Sequence, residues 1–249
     1  MLELHHAWDS FCSIKVRLCL AEKGLPWHGH VYDLMKFENL QARYLALNPH
    51  GVVPTLVHDG AAIVESTVIN EYLDDAFPDP PLRPDDARGR ARMRLWVRFE
   101  EEELFLAVRP ASLNLMMKQV LGSYSEEELD KLLEYHPRGD RVAALKKLFK
   151  APYDADAVAN SRRRLARALR RMDAVLSAAP WLAGESYSLA DIAAAPVVDR
   201  IERLGMADLW DSLAGVSDWV ARLKARPAYQ NALPPEASTR FTAMKASLM

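Results

Sequence analysis

The period of the apolar positions changes repeatedly over the first 76 residues, and each change marks an element. "LELHHAW" has the short, β-rich character of a strand, and "SIKVRLCLAEKG" carries Val16, Leu18 and Leu20 in a helical run that Gly24 closes as a C′ residue. "HGHVYDL" reads as a second strand and "FENLQARYLALNP" as a second helix. "PTLVHD" and "AAIVE" then form a hairpin turning at Asp59-Gly60, and "STVINEYLDDAF" closes the series as a helix. The order is βαβ followed by ββα. Residues 77–87, "FPDPPLRPDDA", hold four of the fifteen prolines and read as a linker, because proline continues neither helix nor strand. Beyond it, "RARMRLWVRFEEEELFLAV", "SRRRLARALRRMDAVLSA", "ADIAAAPVVDRIERLG" and "VSDWVARLKA" all carry helical periodicity and no strand pattern recurs. The pattern predicts an α/β lobe over residues 1–82 and an all-helical lobe over residues 88–249.

Composition narrows the class. The 249 residues are half apolar, enough to bury two cores of this size, and the formal net charge is -2 with acids and bases interspersed. Such a balance provides no field to draw the chain onto nucleic acid or anionic lipid. No apolar run reaches bilayer length, and "MLELHHAWDS" lacks the basic and apolar regions of a signal peptide. Cys12 and Cys19 fall on one predicted helix, so a disulfide framework is excluded and a reducing, cytoplasmic setting is expected. No spacing of metal ligands stands out.

Pro54 sits where "VVPTL" otherwise reads as a strand, at the loss of one ladder hydrogen bond. In a βαβ-ββα lobe an X-Pro bond just before the hairpin is expected to be cis, turning the backbone of Val53 toward the mouth of the first helix. The thioredoxin fold uses a proline in this way, opposite the start of its first helix. That helix opens here with "SFCS", so Ser10 and Ser13 stand where a thioredoxin carries C-x-x-C. Without the dithiol, the lobe is suited to a thiol supplied from elsewhere.

"DSFCSIKVRLCLAEKGL", "NPHGVVPTLVHDG", "ESTVINEYL" and "YSLADIAAAP", in this order across nearly the whole chain, resemble a cytosolic glutathione S-transferase. Within that superfamily "ESTVINEYLDDAFPDPPLRPDDARGRARMRLW" is similar to bacterial β-aryl etherases, and "SFCSIKVR" to the serine motif of zeta-class enzymes. The resemblance implies a thioredoxin-like domain followed by a helical domain, glutathione as cosubstrate, a small hydrophobic electrophile as acceptor, and a homodimer. A thiol with a pKa near 8.5 is only about 3 % thiolate at pH 7, so such an enzyme must lower that pKa. Ser10, at a helix N-terminus, is the first candidate for the donor that does so, because its hydrogen bond and the free N–H groups of the helix both favour negative charge. The alternative makes Ser10 simply the N-cap, with Ser13 the next candidate one turn on. Cys12 stands where some bacterial members place a cysteine that forms a mixed disulfide with glutathione; as a bystander it is a small packing residue, as Cys19 is expected to be.

Further roles follow from the same resemblance. Ser66 and the N–H groups that start the third helix suit the γ-glutamyl carboxylate, and Glu65 its ammonium. Val53 and Pro54 present backbone to the tripeptide, and Asn39 is placed for the glycyl carboxylate unless it is only a cap. Val52 replaces the Lys or Gln common before the "VP" pair, which leaves that contact missing or given to Lys36 or His50. The acceptor is expected against Phe105, Val108, Leu113, Met116 and Met117, the methionines giving an adaptable wall, though periodicity alone allows ordinary core. Residues 122–157 read as a long helical insertion that extends this wall toward a bulky substrate. Ser188 and Asp191 have capping-box spacing, and Leu165, Leu169, Met172 and Leu176 form one apolar face behind the arginines of "SRRRLARALRRMD". A zeta-like isomerase, a Cys12-based thiol-transfer enzyme and a noncatalytic ligand-binding protein are the other functions compatible with these residues.

Overall fold

The computed structural model describes residues 1–134 and 136–235, so the last part of the helical lobe predicted to run to residue 249 lies outside the described residues. Strands β1 (Leu2–His6), β2 (His28–Val31), β3 (Thr55–His58) and β4 (Ala61–Val64) form one sheet in the order β2-β1-β3-β4. β2 runs parallel to β1, while β3 is antiparallel to both β1 and β4. Helix α1 (Phe11–Glu22) joins the parallel pair, and Asp59 and Gly60, both at positive φ, make the tight turn between β3 and β4. This is the thioredoxin-like arrangement expected from the pattern. The helix predicted over "FENLQARYLALNP" is instead broken. Two 3₁₀ turns, Leu34–Lys36 and Glu38–Leu40, flank Phe37 at φ 53°, and only α2 (Ala42–Leu45) is α-helical. Phe37 gives up regular helix to pack with Leu121, Leu129 and Leu133 of the second lobe.

Helix α3 (Ser66–Ala76) follows β4, and its C-terminus leads into the proline linker. Buried Asp74 holds that linker down: it pairs with Lys23 at 2.6 Å and accepts from the Leu82 N–H at 2.9 Å, while Lys23 also donates to the carbonyls of Phe77 and Pro80. Asp86 then caps α4 (Ala87–Phe99) by accepting from the Gly89 N–H. From Ala87 to Leu121 the chain is one helical run. Two π-helical turns, Glu100–Leu104 and Leu113–Met117, separate α4 from α5 (Phe105–Ser112) and α5 from α6 (Lys118–Leu121). Such turns are wide insertions in a helix and recur at functional sites.

The insertion forms α7 (Glu126–Leu133) and α8 (Gly139–Lys150); α9 (Ala155–Leu176), α10 (Leu189–Arg203), α11 (Ala214–Lys224) and α12 (Pro227–Ala232) complete the described chain. Leu165, Leu169, Met172 and Leu176 are buried on one face of α9, and Ser188 and Asp191 make the expected capping box at the start of α10. Asp191 also accepts from the Trp219 indole at 2.9 Å and the Leu182 N–H at 3.0 Å, tying three segments together. Between Phe11 and Leu20 every residue of α1 except Cys12 is buried, because α3, α10 and α12 enclose the helix. Two ion pairs lock it to the second lobe: buried Lys15 with buried Glu100 of the first π turn, and Glu22 with Arg226 at 2.6 and 2.7 Å. No helix among the described residues is long and apolar enough to cross a membrane.

Candidate active site

The start of α1 is fixed before any ligand arrives. Arg17 reaches back from the buried face of the helix and donates to the carbonyls of Ala7 at 3.1 Å and Trp8 at 2.9 Å, while its Nε donates to Ala232. The β1–α1 loop is thereby held against α12. Ser10 caps α1, its hydroxyl oxygen accepting from the Ser13 N–H at 3.2 Å. An N-cap hydroxyl that accepts through oxygen still has its own proton to give, so capping and donation to a ligand are compatible. Ser13 is fully buried and accepts from the Ala7 N–H at 3.4 Å.

Cys12, the partly exposed residue of this stretch, turns toward the N-terminus of α3. Its thiol is within hydrogen-bonding reach of Ser66, and burial pushes its pKa up against the smaller opposing pull of Lys15, with Glu100 adding to the rise. A thiol in that condition is protonated and a poor nucleophile at neutral pH. Cys19 is fully buried, and burial pushes its pKa up as well.

Glu65 has φ 68° and ψ 113°, a conformation that non-glycine residues rarely adopt, and its carboxylate is exposed beside the free N–H groups of α3. Residues held this way cluster at ligand sites, where the surrounding structure overrides the local preference. Ser66 is buried at the first position of α3. Opposite stands the loop before β3, braced from three sides. Asn39 Nδ2 donates to the Gly51 carbonyl at 2.7 Å, and the Val52 carbonyl accepts from Tyr44 Oη at 2.5 Å and Asn48 Nδ2 at 2.8 Å. Val53 is buried within this frame and the Val53-Pro54 peptide is cis, as its place before the hairpin predicts. One amide hydrogen of Asn39 is spent on Gly51, while its Oδ1 is buried without a partner. Lys36 is exposed and lies 3.7 Å from Asp33, and His50 is exposed.

Between the two lobes opens a cavity of about 520 Å³. Trp8, Asp9 and Phe11 form its floor at the mouth of α1, and Tyr32, Leu34 and Met35 line it from the segment after β2. Phe105, Val108, Leu113, Met116 and Met117 all line the opposite wall, on α5 and the second π turn. Phe11 and Phe105 meet across the lobes with ring centroids 5.4 Å apart. The insertion roofs the near side: Tyr124 Oη donates to the Met35 carbonyl, and Pro137 lies against Gly51.

The cavity also carries charge that the sequence reading missed. Arg109 and Arg200 line it. Arg200 donates to the Asp9 carbonyl at 3.0 Å, while its Nε is buried without a partner. Arg203 on the same helix pairs with Asp9 at 2.8 Å. Tyr32 and Trp8 were missed as well. The sequence signal for Arg200 is a cation in the last turn of a helix, closing the stretch "LADIAAAPVVDR", in which every earlier residue proves buried.

Residues 4–81 match the family description "Glutathione S-transferase, N-terminal domain", and residues 113–227 match "Glutathione S-transferase, C-terminal domain". The chain belongs to the glutathione S-transferase family. It is similar to Protein LigF of Sphingobium sp. strain SYK-6, with 30% identity over 91% of each chain, and to a maleylacetoacetate isomerase of Pseudomonas aeruginosa, with 29% identity over 94% of this chain and 96% of the relative. The crystal structure of the β-etherase LigF superposes with a TM-score of 0.85 at 29% identity, covering 93% of this chain and 98% of that one. The fold is therefore that of a glutathione S-transferase, a thioredoxin-like domain followed by a helical one. Transfer chemistry on the thiol of glutathione is the activity of this family.

Proposed function

We propose that this transferase holds glutathione along the N-termini of α1 and α3 and turns its thiolate on a hydrophobic aryl ether. Glu65 receives the γ-glutamyl ammonium, and Ser66 with the free N–H groups of α3 receives the carboxylate. Val53 and Pro54 present backbone to the tripeptide, and Asn39 faces its glycyl end. Ser10 donates to the sulfur, where the field of α1 adds to the stabilisation of negative charge. The sulfur attacks the carbon bearing the aryloxy group; the C–S bond forms as the C–O bond breaks, and the phenolate leaves with the electron pair. Cys12 takes no covalent part, which its raised pKa supports. The observation that carries this reading is the position of the apolar cavity: it opens at Phe11, the residue after Ser10, and is walled by Phe105 and the two methionines. The overall similarity to LigF supports the aryl ether as acceptor.

A second reading rests on Arg109 and Arg200. Both arginines share the cavity with Asp9, Asp33 and Glu38, so this reading is confined to an acceptor whose carboxylate meets the unpartnered Nε of Arg200, as a zeta-like isomerase would take, with glutathione added and released unchanged. The pairing habit of the family and the exposed Val68 on α3 and Leu95 on α4 support a homodimer, and we place the protein in the cytoplasm. The test is an assay of the purified protein with glutathione against an α-aryloxy ketone and a maleyl compound, following both phenol release and loss of free glutathione. Phenol released with equal consumption of glutathione is expected. Turnover of the maleyl compound alone, with glutathione conserved, would replace the first reading by the second.

A further inference from the structure

The sheet has a face that the glutathione site does not use. Leu2 and Leu4 point into the core shared with α1 and α3, so the alternate residues Glu3 and His5 point the other way. The parallel register sets Glu3 beside His28 and His5 beside His30, which brings one carboxylate and three imidazoles onto neighbouring positions of that face. One ligand atom from each of Glu3, His5 and His30 lies within 4.8 Å of the other two. His30 Nε2 is 2.9 Å from Glu3 Oε2, the rings of His5 and His30 stack at 4.3 Å, and His28 stands edge-on to His30 at 4.8 Å. Tyr32 Oη holds Nδ1 of buried His5 at 3.0 Å, so Nε2 is the ring nitrogen available to a ligand. Glu3 and His30 remain open to solvent, with side chains 37 % and 36 % exposed.

We propose that Glu3, His5 and His30 bind one divalent transition-metal ion, Zn²⁺ by the chemistry of the donors, with His28 or water as a fourth ligand. Two imidazoles and a carboxylate are a zinc-type donor set, and zinc holds such atoms at about 2.0–2.2 Å, hence roughly 3.3 Å from one another in a tetrahedron. A small rotation of His30 off the face of His5 closes the distance. Charge pairing alone does not require this crowding, since Glu3 needs only one partner and His30 already provides it. Tyr32 supplies the outer hydrogen bond that orients a ligating histidine. The ion clamps β2, an edge strand bonded only to β1, and steadies Val31 and Tyr32, which follow His30 and line the cavity.

The test is calorimetric titration of the chelator-treated full chain with ZnCl₂, for wild type, Glu3→Gln, His30→Ala and, as a control away from the cluster, His136→Ala. Circular dichroism and glutathione affinity check that each variant is folded. One ion per chain is expected, with affinity reduced on the order of tenfold or more in Glu3→Gln and in His30→Ala and unchanged in His136→Ala. Both cysteines remain in every variant, so a thiol-based site would survive the two substitutions. Absence of saturable binding to the wild type, or affinity retained in both Glu3→Gln and His30→Ala, overturns the proposal.

Discussion

In the proposed site Glu65 binds glutathione from a strained backbone, so two substitutions there separate contact from strain. Its φ of 68° and ψ of 113° cost an L-residue about 1–3 kcal/mol, while its carboxylate stands exposed at the start of α3. Glu65→Ala removes a charge-assisted contact worth about 1.5–3 kcal/mol, which corresponds to a dissociation constant for glutathione raised roughly ten- to a hundredfold. Glu65→Gly removes the same contact and relieves the strain, less the 0.5–1 kcal/mol or so of extra chain entropy that glycine loses on folding. The ligand-free Glu65→Gly protein is then more stable by about 1 kcal/mol, a rise in melting temperature of roughly 2–4 °C for a chain of this size. Isothermal calorimetry and thermal unfolding read the two effects on the same samples. A dissociation constant unchanged in Glu65→Ala, or a Glu65→Gly protein that melts lower than wild type, would refute the reasoning.

Lys15→Met leaves Glu100 buried without its cation and is expected to lower the unfolding free energy by about 3–5 kcal/mol in urea titration, with most of it restored in Lys15→Met/Glu100→Gln; a loss below about 1 kcal/mol contradicts the pair's role. Met117→Trp fills part of the cavity and should raise KM for a bulky acceptor by about tenfold in steady-state assays while the dissociation constant of glutathione stays within about twofold, since Met117 lines the cavity and lies outside the proposed glutathione contacts. Burial raises the Asp191 carboxyl to about 6 from 3.8, so between these values the folded chain holds a proton that the unfolded chain has released. Its contribution is therefore full below about pH 4 and is lost as pH rises through 6, by roughly 3 kcal/mol at 1.4 kcal/mol per tenfold change. The stability difference between wild type and Asp191→Asn, measured by denaturant unfolding from pH 4 to pH 7, should shift against the wild type by that order; a flat difference contradicts it.

Local chemistry was readable in the sequence, and contact between distant segments was not. Asp59-Gly60, Gly24 and the Ser188/Asp191 box announce their turns and caps because the determining atoms lie within four residues of one another. Pro54 announces the bend before β3 for the same reason. The apolar wall at Phe105, Val108, Leu113, Met116 and Met117 was placed through family resemblance, since its helical period alone also describes core. Phe37 breaks a predicted helix because its partners, Leu121, Leu129 and Leu133, lie more than 80 residues away. Arg200 on the cavity, Lys15 against Glu100, and Glu3 beside His5 and His30 depend likewise on pairings that no window of sequence contains. Ser10 stands between these cases: its capping bond is local and matches the alternative reading of Ser10 as an N-cap, while its access to a thiol depends on how α1 faces the second lobe.

The role of Ser10 is tested most directly by the thiolate absorbance of bound glutathione at neutral pH in wild type, Ser10→Ala and Cys12→Ala, read together with intact-protein mass. If Ser10 lowers the thiol pKa from about 8.5 to about 6.5, the wild type shows mostly thiolate at pH 7 and Ser10→Ala falls toward about 3 %, with glutathione still bound through Glu65 and Ser66. Cys12→Ala then matches the wild type in absorbance and turnover, and no protein carries added mass. Loss of activity in Cys12→Ala, with the mass of wild type increased by one disulfide-linked glutathione, would contradict the account and make the protein a thiol-transfer enzyme.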